Sequence, residues 1–442
     1  MTRDMMRNLG LVFFPAFDWA LTPTHPEREE RLLYTRDQII EEGLLDIDSI
    51  REYKPKMASL KDIQRVHIAV PDISSLITDA HLVSAGGAIT AAEAVMKKEV
   101  QRAFALVRPP GHHAMKVMHG TRGFCTVNIE AIMVEYLRQH YGIKKVAIVD
   151  TDVHHGDGTQ DIFYHDPDTL FISLHQDGRT LYPGTGDKTE LGSPSAFAST
   201  INIPLPPGTT DEGLHYVLDN LILPVLDDFQ PDLIINSAGQ DNHYTDPLAS
   251  MAVSAQGYAR LAEKLNADIA VLEGGYSIED ALPYVNTGII LAMAGLDYSR
   301  VIEPDIKRCP KQTEGNTVAI KKTVEFLQDI WANRQELKEE NIRRSNGFYN
   351  MQNRVYYDDS GITEKQVQSV KLCPDCHGYL TIATEATGNY IGYQTAFASI
   401  IPRNCCPKCQ SLAKDAIVKA KKQKNYEQYF LQNKVDDTYE EL

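Results

Sequence analysis

At 442 residues, with 43% hydrophobic and 24% charged residues, the chain is long enough for a large packed domain plus a smaller one, which excludes a disordered or fibrous class. The formal net charge of −16 is unevenly placed: residues 1–302 hold 24 Lys and Arg against 41 Asp and Glu, and residues 303–442 hold 20 against 19. An acidic first part disfavours direct nucleic-acid binding by that part and suits cationic substrates, although acidity also serves solubility.

In chain order, Leu9–Phe14, Phe104–Val107, Val146–Val149, Leu170–Leu174, Leu233–Asn236 and Ile269–Leu272 read as strands. Ser84–Val95, Ala131–Tyr141, Asp211–Phe229 and Ser254–Leu265 read as the intervening helices. This alternation predicts an α/β fold, a predominantly parallel sheet flanked by helices. Leu9–Phe14 is too short to span a bilayer and too strand-like for a signal core, so a cytoplasmic protein with no membrane association is expected. Polar turns follow four strands: Arg108 to His113, Asp150 to Asp157, Ser237 to Asp241, and Glu273 to Tyr276. Ligands bind beyond the strand ends of parallel sheets, and four such turns on one edge point to a constructed site. The Asp and His mixture after Val149 has the donor types of a metal centre.

The motifs His25-Pro26-Glu27-Arg28, Arg108 to Ala114, Gly123 to Asn128, Asp150 to Gly158, Ser173-Leu174-His175 and Tyr182 to Gly186 occur in that order. Asp241 with Asp246-Pro247-Leu248 and Gly274-Gly275-Tyr276 follow. Together they resemble the histone deacetylase superfamily of zinc amidohydrolases, which includes acetylpolyamine amidohydrolases and acetoin-utilisation proteins. The resemblance runs from about residue 9 to residue 297, is closer to the class II and prokaryotic branches, and implies an arginase/deacetylase-like sheet.

The resemblance implies that Asp152, His154 and Asp241 hold the catalytic Zn2+. The oxygen-rich donor set leaves Fe2+ as an alternative. It implies a tandem catalytic pair, with His113 as general base and then acid and His112 mainly electrostatic, and with Asp150 and Asp157 orienting the rings. Tyr276 is implied to stabilise the oxyanion. Gly123, Phe124, Tyr182 and Leu248 match the walls of an acyl-lysine tunnel. Asp150, Asp152, His154, Ser173 and Leu174 match a K+ site. Asp72 is a candidate for gripping substrate at the rim, and Cys125 reads as buried packing. The expected reaction is hydrolysis of N-acetyl amides, first of acetyl-lysine in protein, with an acetylpolyamine or other small cationic amide as the alternative. A non-catalytic acetyl-lysine binding protein and a two-metal ureohydrolase are the other classes; the complete machinery and the His112-His113 pair speak against them.

The resemblance stops at residue 302, which closes the expected catalytic domain. Residues 303–365 read as linker and helical connection, with Glu303–Thr317 the linker and Val318–Arg344 helical. Residues 366–442 read as a zinc-ribbon-like domain: Cys373-Pro-Asp-Cys376 and Cys406-Pro-Lys-Cys409 form paired knuckles for a second, structural Zn2+. Cys405 is an alternative ligand, and the stretch from Ser411 reads as a helix with a frayed end. The ribbon is expected to serve a protein partner or a homo-oligomer contact. Because it lies outside every motif that carries chemistry, a chain ending near Arg300 is expected to keep turnover of a small acetyl-lysine reporter, provided that the linker reading holds and the core exposes no large apolar face.

Overall fold

The computed structural model describes residues 7–17, 19–22 and 24–442. Among the described residues, ten strands lie in the first part: β1 (Arg7–Phe14), β2 (Ile50–Tyr53), β3 (Ile68–Ala69), β4 (Val100–Val107), β5 (Val117–Met118), β6 (Val146–Asp150), β7 (Thr169–Gln176), β8 (Thr200–Leu205), β9 (Leu233–Ala238) and β10 (Ile269–Leu272). Eight form one sheet in the order β2-β1-β4-β10-β9-β6-β7-β8, and every pairing is parallel. Val146, Ala147, Ile148 and Val149 are wholly inaccessible, as continuous apolar strands covered on both faces should be. Helices Asp79–Met96 and Ile129–Tyr141 cover one face, while Glu30–Glu41, Ala255–Leu265 and Leu282–Met293 cover the other. The four strands that precede the polar turns, β4, β10, β9 and β6, are neighbours in the sheet, so those turns share one edge.

All six expected strands form. The two sheet edges, β2 and β8, were not anticipated: β2 has four residues without alternation, and β8 contains Pro204, which only an edge strand tolerates. The segment expected as one helix over 211–229 is helical with a π-type turn at Leu218–Ile222. Pro224 has no N–H for the Asn220 carbonyl, which instead accepts a bond from Gln328 Nε2 at 2.7 Å.

The stretch from Glu303 is not a free linker. Glu303 is buried, its Oε1 accepting from the Ala255 N–H at 3.1 Å, and Gln312 Oε1 accepts from the Thr210 N–H at 2.9 Å. Helices Glu314–Ala332 and Arg334–Arg344 follow. A second sheet is then built from β11 (Phe348–Tyr357), β12 (Ile362–Lys371), β13 (Tyr379–Gly388), β14 (Gly392–Ile401), β15 (Gln428–Asn433) and β16 (Thr438–Glu441), in sequential order. Only β14 and β15 pair parallel, and helix Pro407–Gln423 makes their crossover. Strand β12 runs through residue 366, so the sheet starts well before the cysteines. The segment expected as a frayed helix end forms β15 and β16; the strand Gln428–Asn433 is short, and the Lys-rich helix before it hides the change of period.

The two parts share a core. Ile68, Val70 and Val117 are buried together with Val370, Leu380, Ile382, Ile400 and Phe430, and Met115 with Val355, Tyr357 and Ile362. Ending the chain near Arg300 therefore bares an apolar face, so the condition on which an active shorter chain was expected, a core with no large exposed apolar face, is not met. Among the described residues no helix is long and apolar enough to cross a membrane.

An ion pair at the seam gives a pH dependence. The Asp437 carboxylate accepts from Arg65 Nε at 2.7 Å and Nη2 at 3.0 Å and pairs with Lys61 Nζ at 2.7 Å. The Arg65 bonds, helped by Lys61, hold its pKa at about 2, below the ordinary 3.8. A depressed carboxylate contributes stability above its unfolded pKa and loses it as pH falls through the folded value. The melting-temperature gap between the wild type and Asp437→Asn should therefore be wide at pH 6 and narrow toward pH 3. An unchanged gap would exclude this pair as a contributor.

Candidate active site

The end of β6 carries Asp150 and leads into Asp152 and His154, while the end of β9 leads to Asp241. His154 Nδ1 lies 3.0 Å from Asp152 Oδ1 and 3.1 Å from Asp241 Oδ2, and the donor atoms of all three lie within 4.8 Å of one another. Both carboxylates are fully buried, and among the described residues their ion pairs are with histidine. Backbone donors hold them: the Gly274 N–H bonds Asp152 Oδ2 at 2.7 Å and the Val153 N–H bonds Asp241 Oδ1 at 2.8 Å. A Cβ at Gly274 would stand 2.3 Å from Asp241 Oδ2, so only glycine lets the chain pass this close. Two buried carboxylates on one imidazole are costly without a cation between them, and the donor set fits a divalent metal.

Beside this cluster, His112 Nδ1 bonds Asp150 Oδ2 at 3.0 Å and His113 Nδ1 bonds Asp157 Oδ1 at 2.8 Å, the two rings being 4.1 Å apart. Burial opposes charge on His112, but the Asp152 and Asp150 carboxylates outweigh it and hold its pKa at about 9. A cation on Asp152 takes away part of that pull. For His113, burial and the neighbouring His112 charge push the pKa down to about 3 against the pull of Asp157. Asp157 stays ionised because Arg122 and His113 overcome its burial. His113 is thus neutral at pH 7, with Nδ1 occupied and Nε2 free to take a proton.

Tyr276 lies in the loop after β10, buried, with its ring 5.7 Å from that of Phe124. Burial pushes its phenol pKa well above the ordinary value, and the Asp241 and Asp152 charges reinforce this against Arg31. The hydroxyl therefore remains a donor. The Tyr276 N–H bonds Asp246 Oδ2 at 2.7 Å. Arg31 donates to the Gly275 carbonyl at 2.7 Å and to the Glu273 carbonyl, and its guanidinium lies 4.9 Å from the Tyr276 ring centre. Phe124 and Tyr182 stand near these groups: the Tyr182 ring is 5.2 Å from His113, and the Phe124 ring packs edge-on against His25 at 4.3 Å.

The sequence profile of the histone deacetylase domain matches residues 72–293. The chain belongs to the histone deacetylase family. A probable deacetylase of Archaeoglobus fulgidus is 48% identical over 324 residues, which cover 67% of this chain and 89% of that one. The acetoin utilization protein AcuC of Bacillus subtilis is 30% identical over 351 residues, covering 69% and 88%. The crystal structure of the HDA15 HD domain superposes with a TM-score of 0.65 at 26% identity, covering 76% of this chain and 99% of that one. The protein is accordingly a hydrolase of the histone deacetylase family.

Several residues that shape this deacetylase site have structural roles that the sequence reading did not assign. Glu27, Arg31 and Arg108 form a fully buried network: Glu27 accepts from Arg31 Nη1 at 2.8 Å and from Arg108 Nε at 2.8 Å and Nη2 at 2.6 Å. Through Arg31 this network fixes the Tyr276 loop. The i, i+4 spacing of Glu27 and Arg31 was the available signal. Glu273 Oε2 accepts from the N–H groups of Gly111 and His112 at 2.8 and 3.0 Å, which sets the tandem-histidine turn. Asp246 appeared only as a motif letter, and half-buried Leu248 lies on its turn, its N–H bonding Asp246 Oδ1 at 2.9 Å.

The remaining candidates fall as follows. Ser173 and its neighbour Leu174 lie within β7, with Ser173 in register with Asp150 at the end of β6, so these members of the set matched to a K+ site are neighbours in the sheet. Asp72 is turned to local use, capping the short helical turn Ile73–Ser75 and accepting from the Ser74 N–H. Cys125 is buried and its thiol pKa is pushed well above 9 by burial, which keeps it protonated. Cys373, Cys376, Cys406 and Cys409 bring their sulfurs within 4.8 Å of one another where the β12–β13 connection meets the start of helix Pro407–Gln423, in keeping with a zinc-ribbon-like element. Cys405 is not one of the four but packs beside them, within reach of Cys376, and its thiol donates to the Gly378 carbonyl at 3.1 Å.

Proposed function

We propose that this deacetylase hydrolyses the acetyl amide of acetyl-lysine in proteins, with Zn2+ held by Asp152, His154 and Asp241. The observation that carries this reading is His113, anchored by Asp157 at 2.8 Å with its ring 6.0 Å from that of His154 in the three-donor cluster. When bound, the metal supplies Lewis-acid polarisation of the carbonyl and activation of water. His113 takes the proton from the attacking water at Nε2 and returns it to the leaving amine. His112, bonded at Nδ1 to Asp150, acts mainly electrostatically on negative charge as it develops, and the Tyr276 hydroxyl donates to the oxyanion. Phe124 and Tyr182 hold the aliphatic stem of the side chain between two rings and keep water from it. The four cysteines would hold a second Zn2+ in a structural role, and Asp150, Asp152, His154, Ser173 and Leu174 would hold a K+. A cytoplasmic location accords with these chemistries, and the cysteine-bearing end is the surface we assign to a protein partner.

The acidity of residues 1–302 favours a second reading, a small cationic acetyl amide such as an acetylated polyamine. Comparison of kcat/KM for acetyl-lysine peptides with that for N-acetylputrescine and N-acetylspermidine decides between them. The peptides are expected to be the better substrates; a preference for the acetylated polyamines would reassign the enzyme.

A further inference from the structure

The wall of the approach to the site is a four-residue turn, Arg122 to Cys125, closed by backbone bonds of 2.9 Å in both directions. Its central residues, Gly123 at φ 51° and Phe124 at φ 68°, are both left-handed, the geometry of a type I′ turn. A phenylalanine is out of place there, because its Cβ disfavours positive φ. Such a conformation persists only where the surroundings over-determine it.

The surroundings come from the other end of the chain. The connection between β11 and β12, Asp358-Asp359-Ser360, lies against this turn and answers its N–H groups one by one. Ser360 Oγ accepts from Thr121 at 2.8 Å, Asp358 Oδ1 from Gly123 at 3.1 Å and Asp359 Oδ2 from Phe124 at 2.8 Å. Asp358 Oδ1 also accepts from the Tyr182 hydroxyl at 3.0 Å, so one carboxylate ties both walls together. The contact is close: a Cβ at Gly120 would stand 2.5 Å from Ser360 Oγ. Arg122 completes it, donating to the Tyr356 carbonyl on one side and to Asp157 Oδ2 on the other, while Asp157 Oδ1 holds His113. Just before the turn, His119 Nε2 is 3.1 Å from Thr384 Oγ1 and 3.4 Å from buried Glu364, and the Tyr357 hydroxyl donates to the Val117 carbonyl at 2.7 Å.

We propose that the Asp358–Ser360 turn of the C-terminal sheet is a brace that sets the Gly123–Phe124 and Tyr182 walls of the substrate channel and, through Arg122 and Asp157, the ring of His113. The proposal rests on the reading of those walls and of His113 given above. Asp358 and Asp359 are positioning residues: they touch the walls, and the walls touch substrate. The brace makes the C-terminal sheet part of the apparatus of hydrolysis, in addition to whatever its cysteines bind.

The test uses the full-length zinc-loaded protein and a small acetyl-lysine amide, a substrate too short to need a docking surface. Asp358→Ala/Asp359→Ala should lower kcat/KM by about tenfold to a hundredfold, the scale of a wall displaced by about an ångström, with KM and kcat both affected. Asp358→Asn/Asp359→Asn keeps an acceptor at each N–H and should recover most of the loss, with both zinc ions and the melting temperature as in the wild type. In a double-mutant cycle, Tyr182→Phe should cost several-fold in the wild type and little in the alanine pair, because its hydroxyl has lost Asp358. If the alanine pair does not fold, Asp359→Ala alone, which removes only the acceptor for Phe124, is read in the same terms. An alanine variant within twofold of the wild type, or strict additivity with Tyr182→Phe, overturns the brace. His113→Ala run alongside keeps the two ideas apart: its full activity would overturn the catalytic reading itself.

Discussion

Asp241→Ala is expected to abolish turnover and to empty the Asp152–His154–Asp241 set of its zinc, with the four-cysteine set keeping its ion. The reason is geometric. Asp241 Oδ2 and Asp152 Oδ1 stand on either side of His154 Nδ1, and removal of one carboxylate leaves two protein donors where catalytic zinc ordinarily has three. Asp241 Oδ1 also holds the Val153 N–H, so the variant loosens the strand end that presents His154. Metal analysis alongside an activity assay checks both halves of the expectation. Full activity, or an unchanged metal content, would remove Asp241 from the centre.

Tyr276→Phe should reduce kcat by roughly 10²- to 10³-fold with little change in KM, the usual scale for loss of one oxyanion donor. The substitution is clean because the ring's neighbours do not depend on the hydroxyl: Arg31 contacts the face, Phe124 the edge, and Asp246 holds the backbone N–H. Burial and the nearby carboxylates keep the phenol protonated, so the wild-type donor persists well into the alkaline range. Steady-state kinetics on an acetyl-lysine peptide measures the effect. A raised KM at unchanged kcat would make Tyr276 a packing residue.

Much of the first part was legible because its signals are local. Val146–Val149 is an unbroken apolar run, and the Asp and His residues that follow it can only be presented at a strand end; the sheet order then places Asp241 beside them. Edge strands β2 and β8 were hidden by brevity and by Pro204. The residues that hold the site gave weaker signals: Arg31 reads as a helix-surface charge until its guanidinium is seen between Glu27 and the Gly275 carbonyl. Asp358 and Asp359 gave none. Two acids before a serine between alternating segments describe a solvated hairpin turn, and nothing in that pattern names a partner in a distant loop. Cys373 and Cys406 drew attention to the far end of the same sheet, and the end that meets the channel went unread.

The separation along the chain has a consequence for synthesis. Gly123 and its acceptor Asp358 are 235 positions apart. A nascent chain that has emerged as far as Asp241 already carries every ligand of the first metal set, but the wall turn has no acceptors for its N–H groups until the β11–β12 connection follows. Contacts of such range form late and slowly, and until then Ile68, Val70 and Val117 lie bare. Vectorial folding thus gives a growing polypeptide that collects its metal donors first and its complete channel last. A ribosome-stalled or prematurely terminated product carries those donors without the finished hydrolase.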